Sequence, residues 1–545
     1  MSQAQPTYEA YSRKQLIWAL VAVFATYGAS AYFVQALNIA RPKMAAELDG
    51  MALYSWSISI PGLIGAFVTL IYGKLSDMYG RRIMLMVSLA FFLVGTILCA
   101  ISPTFVFLIF GNTVARMGFG ALMMLCYAVL GDLFPPVQRS KWIGLLNIPA
   151  GFFALFGPTM GGWFVDNLSW RHLYWIAVPL IIACLAIVPV GIPSLNVKVS
   201  RRIDYRGCIL MMVASSATIL GFSFAGTTYP WMSAQVIGLL GVASVFWVLF
   251  FRAEKNVDEP ILDLQLLRNR SFVTVAIATF LSFFAQMGIT MYFPLFLQGI
   301  QGISATRSGQ IITPYSVLFA FIGVPVGFLL AKTKRYKWMY ILGFGILTAD
   351  MFGVIFFTAE TPVVWSVIAC TLAGLGLGAI PTVNTMVVQN AVPKRLLGVV
   401  MGAIFFIISM GIAISPAILG SAMNATYTAK LAAALPEELR EVADASTMTA
   451  LGNPRVLLSP PAMEALAKDF GRRGAEGEVL LTRTVSAIRT SMEAGVRSIF
   501  WIAAITMLLS FLLILTVPEI SLDSEIQGQT VPKPSAAPES AAAAE

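Results

Sequence analysis

Between two long apolar runs, residues 73–82 read GKLSDMYGRR, and this short polar stretch decides the fold. Its two glycines, Gly73 and Gly80, permit a tight turn and a close approach of backbones. Asp77 and Arg81 lie four residues apart, a spacing at which their side chains can pair or meet a helix end. The stretch therefore predicts a compact, charged turn that joins two helices.

The composition around this turn is that of a membrane protein. Of the 545 residues, 58% are hydrophobic and only 12% are charged, whereas soluble domains average roughly 25% charged residues. This excludes a soluble enzyme, a disordered chain and a nucleic-acid-binding module, although the net charge is +9. Lysines and arginines in cytoplasmic loops account for such a charge in a membrane protein.

Apolar runs of about 20 residues predict fourteen spans and an all-α polytopic membrane protein. The runs are too long and continuous for the strands of a membrane barrel. An even number of spans places both termini on one side, and the segments on that side hold most of the lysines and arginines. The positive-inside rule therefore predicts cytoplasmic termini. The predicted spans are 16–40, 54–74, 82–102, 106–131, 142–165, 172–193, 207–226, 231–251, 272–298, 309–331, 338–358, 363–389, 397–423 and 498–517, and the short outer loops hold only Arg41, Lys43, Arg171 and Arg307.

A second turn repeats part of the first. Residues 327–335, GFLLAKTKR, place glycine, leucine and arginine at the offsets that these residues have in 73–81. Duplicated halves are typical of secondary transporters. The repeat therefore predicts two related helical halves with an insertion between them.

Residues 73–82 resemble motif A of the major facilitator superfamily, and further stretches resemble its fourteen-helix drug:proton antiporter branch. These stretches are DLFPP at 132–136 with Arg139, GPTMGGW at 157–163 followed by SWR at 169–171 (similar to motif C, the antiporter signature), DYRG at 204–207, EPILDL at 259–264, RNRSF at 268–272, PLFLQ at 294–298, GLGLG at 374–378 and QNAVP at 389–393. The resemblance implies the major facilitator fold, with two six-helix bundles plus two extra central helices.

The resemblance and the predicted spans together imply five regions. A cytoplasmic N-terminus at 1–15 precedes an N-terminal bundle at 16–193, and a linker at 194–271 carries the two additional helices. The C-terminal bundle at 272–517 includes an extracytoplasmic insertion at 424–497, and a disordered cytoplasmic tail follows at 518–545. The insertion is interpreted either as a gate or contact surface for a periplasmic or outer partner, or as a tolerated insertion.

Motif A resembles a latch that joins the two halves in the outward-facing state. The resemblance implies Gly73, Asp77, Gly80, Arg81 and Arg82 as its residues, with Asp132 at the end of the fourth span as partner. The alternative is that these charges only anchor the helix ends at the membrane surface.

Motif C places Gly157 and Gly161 four residues apart, on one helix face. Small residues let helices approach closely in lipid, and Pro158 distorts the local backbone. With Gly162, the resemblance implies a contact between spans that seals one side of a cavity in an antiporter. The alternative is ordinary small-residue packing.

Two charges lie well inside predicted spans, Asp350 and Arg116. Such a charge costs about 2.5–3.5 kcal/mol on insertion scales and indicates function, so both are candidates for proton coupling. The alternatives are a permanent hydrogen bond for Asp350, and interhelical bonding or an anionic substrate for Arg116. Arg116 resembles the arginine of motif B, one helical turn beyond the expected position, Asn112. Phe33 stands where the branch carries an acid in its first span, so coupling has moved, for example to Asp350, or differs from the family's.

The resemblance implies a substrate cavity lined by spans one, four, nine and twelve. Aromatic and Met side chains with a few amides suit an amphipathic organic molecule, although ordinary helix packing is the alternative for each residue. The candidates are Gln35, Asn38, Met123, Phe283, Gln286, Tyr292 and Asn384.

These features predict a secondary active transporter in the bacterial inner (plasma) membrane. It exports hydrophobic or amphipathic organic compounds in exchange for protons by alternating access. Its expected partners are the lipid bilayer, a small-molecule substrate and protons, with no nucleic acid. No enzymatic activity, metal site or cofactor is expected, because a single histidine and five cysteines without ligand spacing offer no metal site and no phosphate-binding GxxxxGK[ST] loop occurs. The alternatives are an importer of a polar metabolite and a membrane sensor without transport.

Overall fold

The computed structural model describes residues 12–49, 53–193, 204–226, 229–255, 257, 260–390, 392, 396–435, 467, 470 and 474–519. Within these ranges the regular secondary structure is helical, apart from one β-bridge between Ala225 and Tyr229. We number the longer helices α1 (Arg13–Glu47), α2 (Tyr54–Tyr79), α3 (Arg81–Ala100), α4 (Phe105–Leu133), α5 (Pro136–Asn167), α6 (Arg171–Gly191), α7 (Tyr205–Phe224), α8 (Ala234–Glu254), α9 (Arg270–Ile300), α10 (Ala305–Phe321 and Gly323–Thr333), α11 (Lys337–Val354), α12 (Val363–Asn390), α13 (Leu397–Ala434) and α14 (Gly474–Leu515).

Each helix overlaps one of the predicted spans. Eleven helices in the described part of the chain are long and apolar enough to cross a membrane. They include every helix except α2, α5 and α11, and each of these three lies between two of the eleven along the chain. An all-helical membrane fold is thus confirmed, and the count of fourteen crossings stays a prediction.

The helices form two bundles and a separate pair. In the first half, α3 packs on α4 and α6, and α1 packs on α5 and α6. In the second half, α14 packs on α9, α11 and α13, and α12 packs on α10 and α11. The second helix of each half also packs against the fifth helix of the other, α2 on α13 and α5 on α10. The pair α7 and α8 packs mainly on itself, and α7 contacts α13 and α2.

Short polar side chains begin several of these helices. Ser12 and Gln15 form a reciprocal capping box at the start of α1, and Asp204 accepts a hydrogen bond from the amide of Gly207 in the first turn of α7. Asn269 does the same for Phe272 of α9. Each cap satisfies one of the amides that a helix leaves unpaired at its N-terminus.

Helix α9 changes its winding twice. Gly288–Tyr292 and Phe296–Ile300 are π-helical turns on either side of the single α-helical turn Phe293–Leu295. Pro294 lies in this α-helical turn and lacks a backbone donor, which favours irregular winding around it. Such π turns are frequent at functional sites, and three of the predicted cavity residues lie on α9.

Several helices extend beyond the predicted spans. Helix α1 continues to Glu47, so Arg41 lies within it and not in an outer loop. Helix α13 has 38 residues and α14 has 42, so residues 424–434 and 474–497 of the predicted insertion continue these two helices. The middle of the insertion lies outside the described residues, except for positions 435, 467 and 470. Residues 1–11 and the tail from 520 also lie outside them.

Candidate functional site

The motif A residues form a buried ion cluster where α2, α3 and α4 meet. The Nε of Arg81 donates to the Oδ2 of Asp132 at 2.7 Å, and its Nη2 lies 2.5 Å from the Oδ1 of Asp77. The side chains of Arg81 and Asp77 are 6% and 3% exposed. Ser76 accepts a further bond from Nη1 of Arg81. The predicted partnership of motif A with Asp132 is thus present in the geometry. Arg82 takes no part in this cluster.

Asp77 also reaches the second half of the protein. Its Oδ1 accepts a hydrogen bond from the amide of Gly398 at 2.9 Å, and its Oδ2 accepts one from Val399 at 2.8 Å. These amides belong to the first turn of α13, whose own N-cap residue, Leu396, supplies no side-chain cap. A carboxylate at a helix N-terminus is favourable both as a hydrogen-bond acceptor and through the helix dipole. Asp77 therefore caps a helix of the opposite half.

Glycines bring the two halves together at the same level. A Cβ added to Gly73 would collide with the carbonyl oxygen of Gly398, and one added to Gly402 would lie 3.0 Å from the carbonyl oxygen of Thr69. Gly80 ends α2 with φ of 90°, a conformation that L-residues rarely adopt. The sequence of motif A thus permits both the turn and the close packing of α2 on α13.

Helices α5 and α10 make a contact equivalent to that of α2 and α13. A Cβ on Gly327 of α10 would collide with the carbonyl oxygen of Ser140 on α5, and the Cα of Gly144 would lie 3.0 Å away. Next to this contact, the Nη1 of Arg139 donates to the side-chain oxygens of Gln389 and Asn390 at 3.3 and 3.4 Å. The two halves are therefore joined at two places on the side of the molecule where α1 begins.

A small cavity of about 20 Å³ lies near the opposite ends of the first-half helices. Arg116 and Arg41 both line it and are close enough to interact electrostatically. The guanidinium of Arg116 lies 4.9 Å from the ring centre of Phe119. The hydroxyl of Tyr174 interacts with Asn112. The complete lining is Phe33, Val34, Leu37, Arg41, Ser57, Pro61, Asn112, Arg116 and Tyr174.

This cavity, which we call the outer pocket, contains residues that the sequence does not predict to lie together. The sequence connects Phe33, Asn112 and Arg116 with proton coupling. It does not identify Arg41 and Tyr174 as site residues. Arg41 follows the apolar run 16–40 and was therefore assigned to a loop. The available signal was its position one helical turn after Leu37, which places both residues on the same face when the helix continues.

Three of the predicted cavity residues make side-chain hydrogen bonds to neighbouring helices. Asn384 accepts a hydrogen bond from Tyr340 at 2.6 Å and donates one to Thr279 at 2.8 Å. Tyr292 donates to the carbonyl of Pro416. The amide nitrogen of Gln286 donates to the hydroxyl of Tyr315, while its Oε1 is buried without a partner among the described residues.

Of the other four predicted cavity residues, the structure describes the side chains of two, and both are apolar. Phe283 is buried on α9, and Met123 is partly buried on α4. Gln35 and Asn38 lie on α1, but their side chains are outside the described residues. The grouping of all seven around one cavity therefore stays a prediction.

Asp350 is buried in the second half, far along the chain from the outer pocket. It lies on α11 with 4% of its surface exposed, and Cys370 of α12 is a neighbour that interacts with it electrostatically. Its Oδ2 has no hydrogen-bond partner among the described residues. Arg116 and Asp350 are thus in different halves, and the structure does not bring the two proton-coupling candidates into one site.

The motif C residues lie on α5, which packs on α1 and α10. Gly157 and Gly161 are both buried, as expected for the face that makes a close helix contact. The surroundings of Pro158 and Gly162 lie outside the described residues. The sealing role of this motif stays a prediction.

Comparison with known proteins identifies the family. The sequence model of the Major Facilitator Superfamily matches residues 20–416. An uncharacterised MFS-type transporter of Mycobacterium tuberculosis (strain ATCC 25618 / H37Rv) is 30% identical over 437 residues, covering 80% of this chain and 62% of the relative, so the chain spans less than two thirds of that relative's length. The multidrug transporter protein MdtP of Bacillus subtilis (strain 168) is 28% identical over 500 residues, covering 90% of each chain.

A solved structure has the same fold. The human organic anion transporter MFSD10 (TETRAN) matches with a TM-score of 0.59 at 14% identity, covering 91% of this chain and 99% of the other. At this identity the likeness concerns the fold and says nothing about substrates. With the family match over residues 20–416 and the paired helical halves, the chain belongs to the major facilitator superfamily and is an integral membrane protein.

Proposed function

We propose that this transporter exports hydrophobic or amphipathic organic compounds in exchange for protons. In this proposal it belongs to the fourteen-helix drug:proton antiporter branch and crosses the bacterial inner membrane fourteen times. Both termini lie in the cytoplasm. The two halves rock about a central cavity, so that substrate and protons reach it from alternate sides.

The observation that carries the proposal is the contact of Asp77 with the first turn of α13. It joins the halves through two hydrogen bonds to backbone amides, and the buried Arg81 holds the same carboxylate from the other side. A contact that caps a helix only when the halves meet favours one of two states, as alternating access requires. With cytoplasmic termini, the closed latch corresponds to an outward-facing state.

Two further observations support export of apolar compounds. The relative MdtP is named a multidrug transporter, and another relative from Bacillus subtilis (strain 168), at 28% identity, is named multidrug resistance protein 3. The buried Gly157 and Gly161 of α5 also fit the motif C of antiporters. The direction of transport and the use of protons are the parts of the proposal that need an experiment.

Everted vesicles containing the full chain test the direction and the driving force. An imposed gradient with an acidic lumen is expected to drive uptake of an apolar fluorescent dye into the vesicles, and a protonophore is expected to abolish it. Accumulation of a sugar or organic acid in right-side-out vesicles instead would identify an importer. Absence of flux for every tested solute would favour a sensor, and either result would overturn the proposal.

Asp350 is the proposed proton-carrying residue. A buried carboxylate with an unpartnered oxygen is a candidate for reversible protonation. We expect Asp350→Asn to lose proton-driven uptake while the protein still binds dye. The matched control is Glu360→Gln, which neutralises an exposed acid shortly after α11. Wild-type uptake with unchanged pH dependence in Asp350→Asn would remove the residue from the mechanism.

A further inference from the structure

The outer pocket holds two positive charges of the first half in one place. Arg116 lies on α4 and Arg41 near the end of α1, and both line the same cavity. Each is partly buried, so water screens their mutual repulsion incompletely. A pair of like charges held together in a protein that carries few charges calls for a compensating group.

The described residues supply no such group. Of the nine residues that line the outer pocket, two are arginines and seven are neutral, so the lining contains no carboxylate. Glu47, the acid at the end of α1, accepts a hydrogen bond from the indole of Trp170 instead. The guanidinium of Arg116 lies over the ring of Phe119. An anion that enters the outer pocket would therefore balance charge that the lining itself leaves uncompensated.

The remaining lining fits the recognition of a small anionic group. Asn112 adds an amide donor beside the guanidinium groups, whereas the hydroxyl of Tyr174 donates to the Sδ of Met44. The ring of Phe33 forms an apolar wall and packs edge-on against Tyr174, with 6.1 Å between ring centres. A volume of about 20 Å³ accommodates one water-sized group, so a bound carboxylate requires the pocket to widen from this conformation.

We propose that Arg41 and Arg116 form an anion-binding site for the carboxylate of an amphipathic substrate. Guanidinium groups bind carboxylates through two parallel, charge-assisted hydrogen bonds. The apolar body of the substrate lies outside this small cavity. The inference rests on the proposed function, since it assigns a substrate class, amphipathic organic anions, to the exporter.

The test measures binding without any proton gradient. Equilibrium dialysis of the purified full chain at neutral pH compares 2-naphthoate with 2-naphthamide, which has the same ring system without the charge. We expect the carboxylate to bind about tenfold more tightly or better, since loss of a charged partner in a half-buried site has effects of that size. Equal binding of the two probes by the wild-type protein would overturn the proposal.

Substitutions of the two arginines test whether the preference for the carboxylate arises in the outer pocket. In Arg41→Gln and Arg116→Gln we expect the preference for naphthoate to disappear. The matched control is Arg307→Gln, because Arg307 is an exposed arginine at the start of α10 that does not line the outer pocket. A preference that persists in both pocket variants would overturn the proposal. If a glutamine variant aggregates in gel filtration, Arg41→Lys and Arg116→Lys replace it, and we expect an intermediate preference because lysine keeps the charge without the fork.

A salt exchange distinguishes a substrate carboxylate from an inorganic anion. Binding of naphthoate is measured in sodium gluconate and then in sodium chloride. If chloride displaces naphthoate from the wild-type protein, the site belongs to a small inorganic anion and the carboxylate assignment is wrong. A protein that prefers naphthoate but shows no proton-driven efflux would overturn the proposed function and leave the anion site standing. Proton-driven efflux without a preference for naphthoate would overturn the anion site and leave the proposed function standing.

Discussion

Gly73 and Gly327 hold equivalent places in the two halves, and each packs directly on the backbone of the opposite half. A Cβ on Gly73 would collide with the carbonyl oxygen of Gly398, and a Cβ on Gly327 with that of Ser140. Because the neighbouring atoms are backbone, they cannot move aside as a flexible side chain would. Closure of the latch side therefore depends on two small residues that the internal repeat relates.

We expect Gly73→Ala and Gly327→Ala each to separate the halves on the latch side. Overpacking of this kind costs about 1–3 kcal/mol, so both variants should melt at a lower temperature and transport more slowly. Gly62→Ala is the control, since it lies on the same helix as Gly73 and a Cβ there meets nothing within 4 Å. A Gly73→Ala protein that behaves like Gly62→Ala would contradict this account of the contact.

Asp77 should govern how often the latch opens. Asp77→Ala removes the cap of α13 and one partner of the buried Arg81, and loss of an N-cap alone costs about 1 kcal/mol. Asp77→Asn keeps one acceptor oxygen and should be milder. The measurement is the rate of maleimide labelling of Leu396→Cys next to the capped turn, which should rise in the order wild type, asparagine, alanine.

The control for the cap is Asp263→Ala. Asp263 accepts a hydrogen bond from Gln265 within its own segment, and it lines the same cavity at the latch side as Asp77. Its removal should leave the labelling rate unchanged. Faster labelling in Asp263→Ala than in Asp77→Ala would show that general charge, and not capping, controls opening.

Arg139 is expected to contribute to the second contact between the halves. Arg139→Gln loses the charged bonds to Gln389 and Asn390, and hydrogen bonds to a charged group contribute about 1.5–3 kcal/mol each at most. The melting temperature and transport rate should both fall. Arg206→Gln, which removes an exposed arginine from α7, should change neither, and equal behaviour of the two variants would contradict the prediction.

Substitutions of Asn384 and Gln286 should have different effects on stability and substrate preference, although the sequence predicts both residues in one cavity. Both ends of the Asn384 amide are already bonded, to Tyr340 and Thr279. Asn384→Ala should therefore lower the melting temperature, by about 1–3 kcal/mol of stability for the groups left unpaired. The Oε1 of Gln286 has no partner among the described residues, and its Nε2 makes one bond, to Tyr315. Gln286→Leu should therefore change the order of substrate preference and lower stability by less than Asn384→Ala, because one hydrogen bond is lost and not two.

Transport assays with a panel of dyes, combined with thermal melting, separate the two residues. A Gln286→Leu protein with the wild-type order of preference would remove this residue from the substrate site. Unchanged melting of Asn384→Ala would show that its two hydrogen bonds are not essential to the packing of α12 on α11 and α9.

Hydropathy predicted where helices lie but not where they end. A run of apolar residues reports the thickness of the membrane, about 20 residues, while a helix continues as long as its backbone stays bonded. For this reason the span predicted at 16–40 belongs to a helix that runs to Glu47. The span predicted at 397–423 belongs to one that runs to Ala434. Their polar ends carry no hydropathy signal.

The sequence predicted the contact of motif A with Asp132 better than the lining of the outer pocket. The residues of motif A are contiguous, so a pattern can identify them, and the resemblance supplied Asp132. The acceptor and donor of the cap, Asp77 and Gly398, are more than 300 positions apart, and only the packing of α2 on α13 brings them together. Likewise the pairing of Arg41 with Arg116 depends on where α1 and α4 cross, which no local pattern encodes.

The extended helix α13 turns small rotations at the membrane into visible displacements outside it. With 38 residues and a rise of about 1.5 Å per residue it is about 57 Å long, nearly twice the roughly 30 Å of a bilayer's hydrocarbon core. Since α14 packs along it, a rotation of the pair at the membrane would move their outer ends farther than the parts inside the bilayer. If the halves rock as proposed, a fluorophore near Ala434 would report each change of state from outside the lipid.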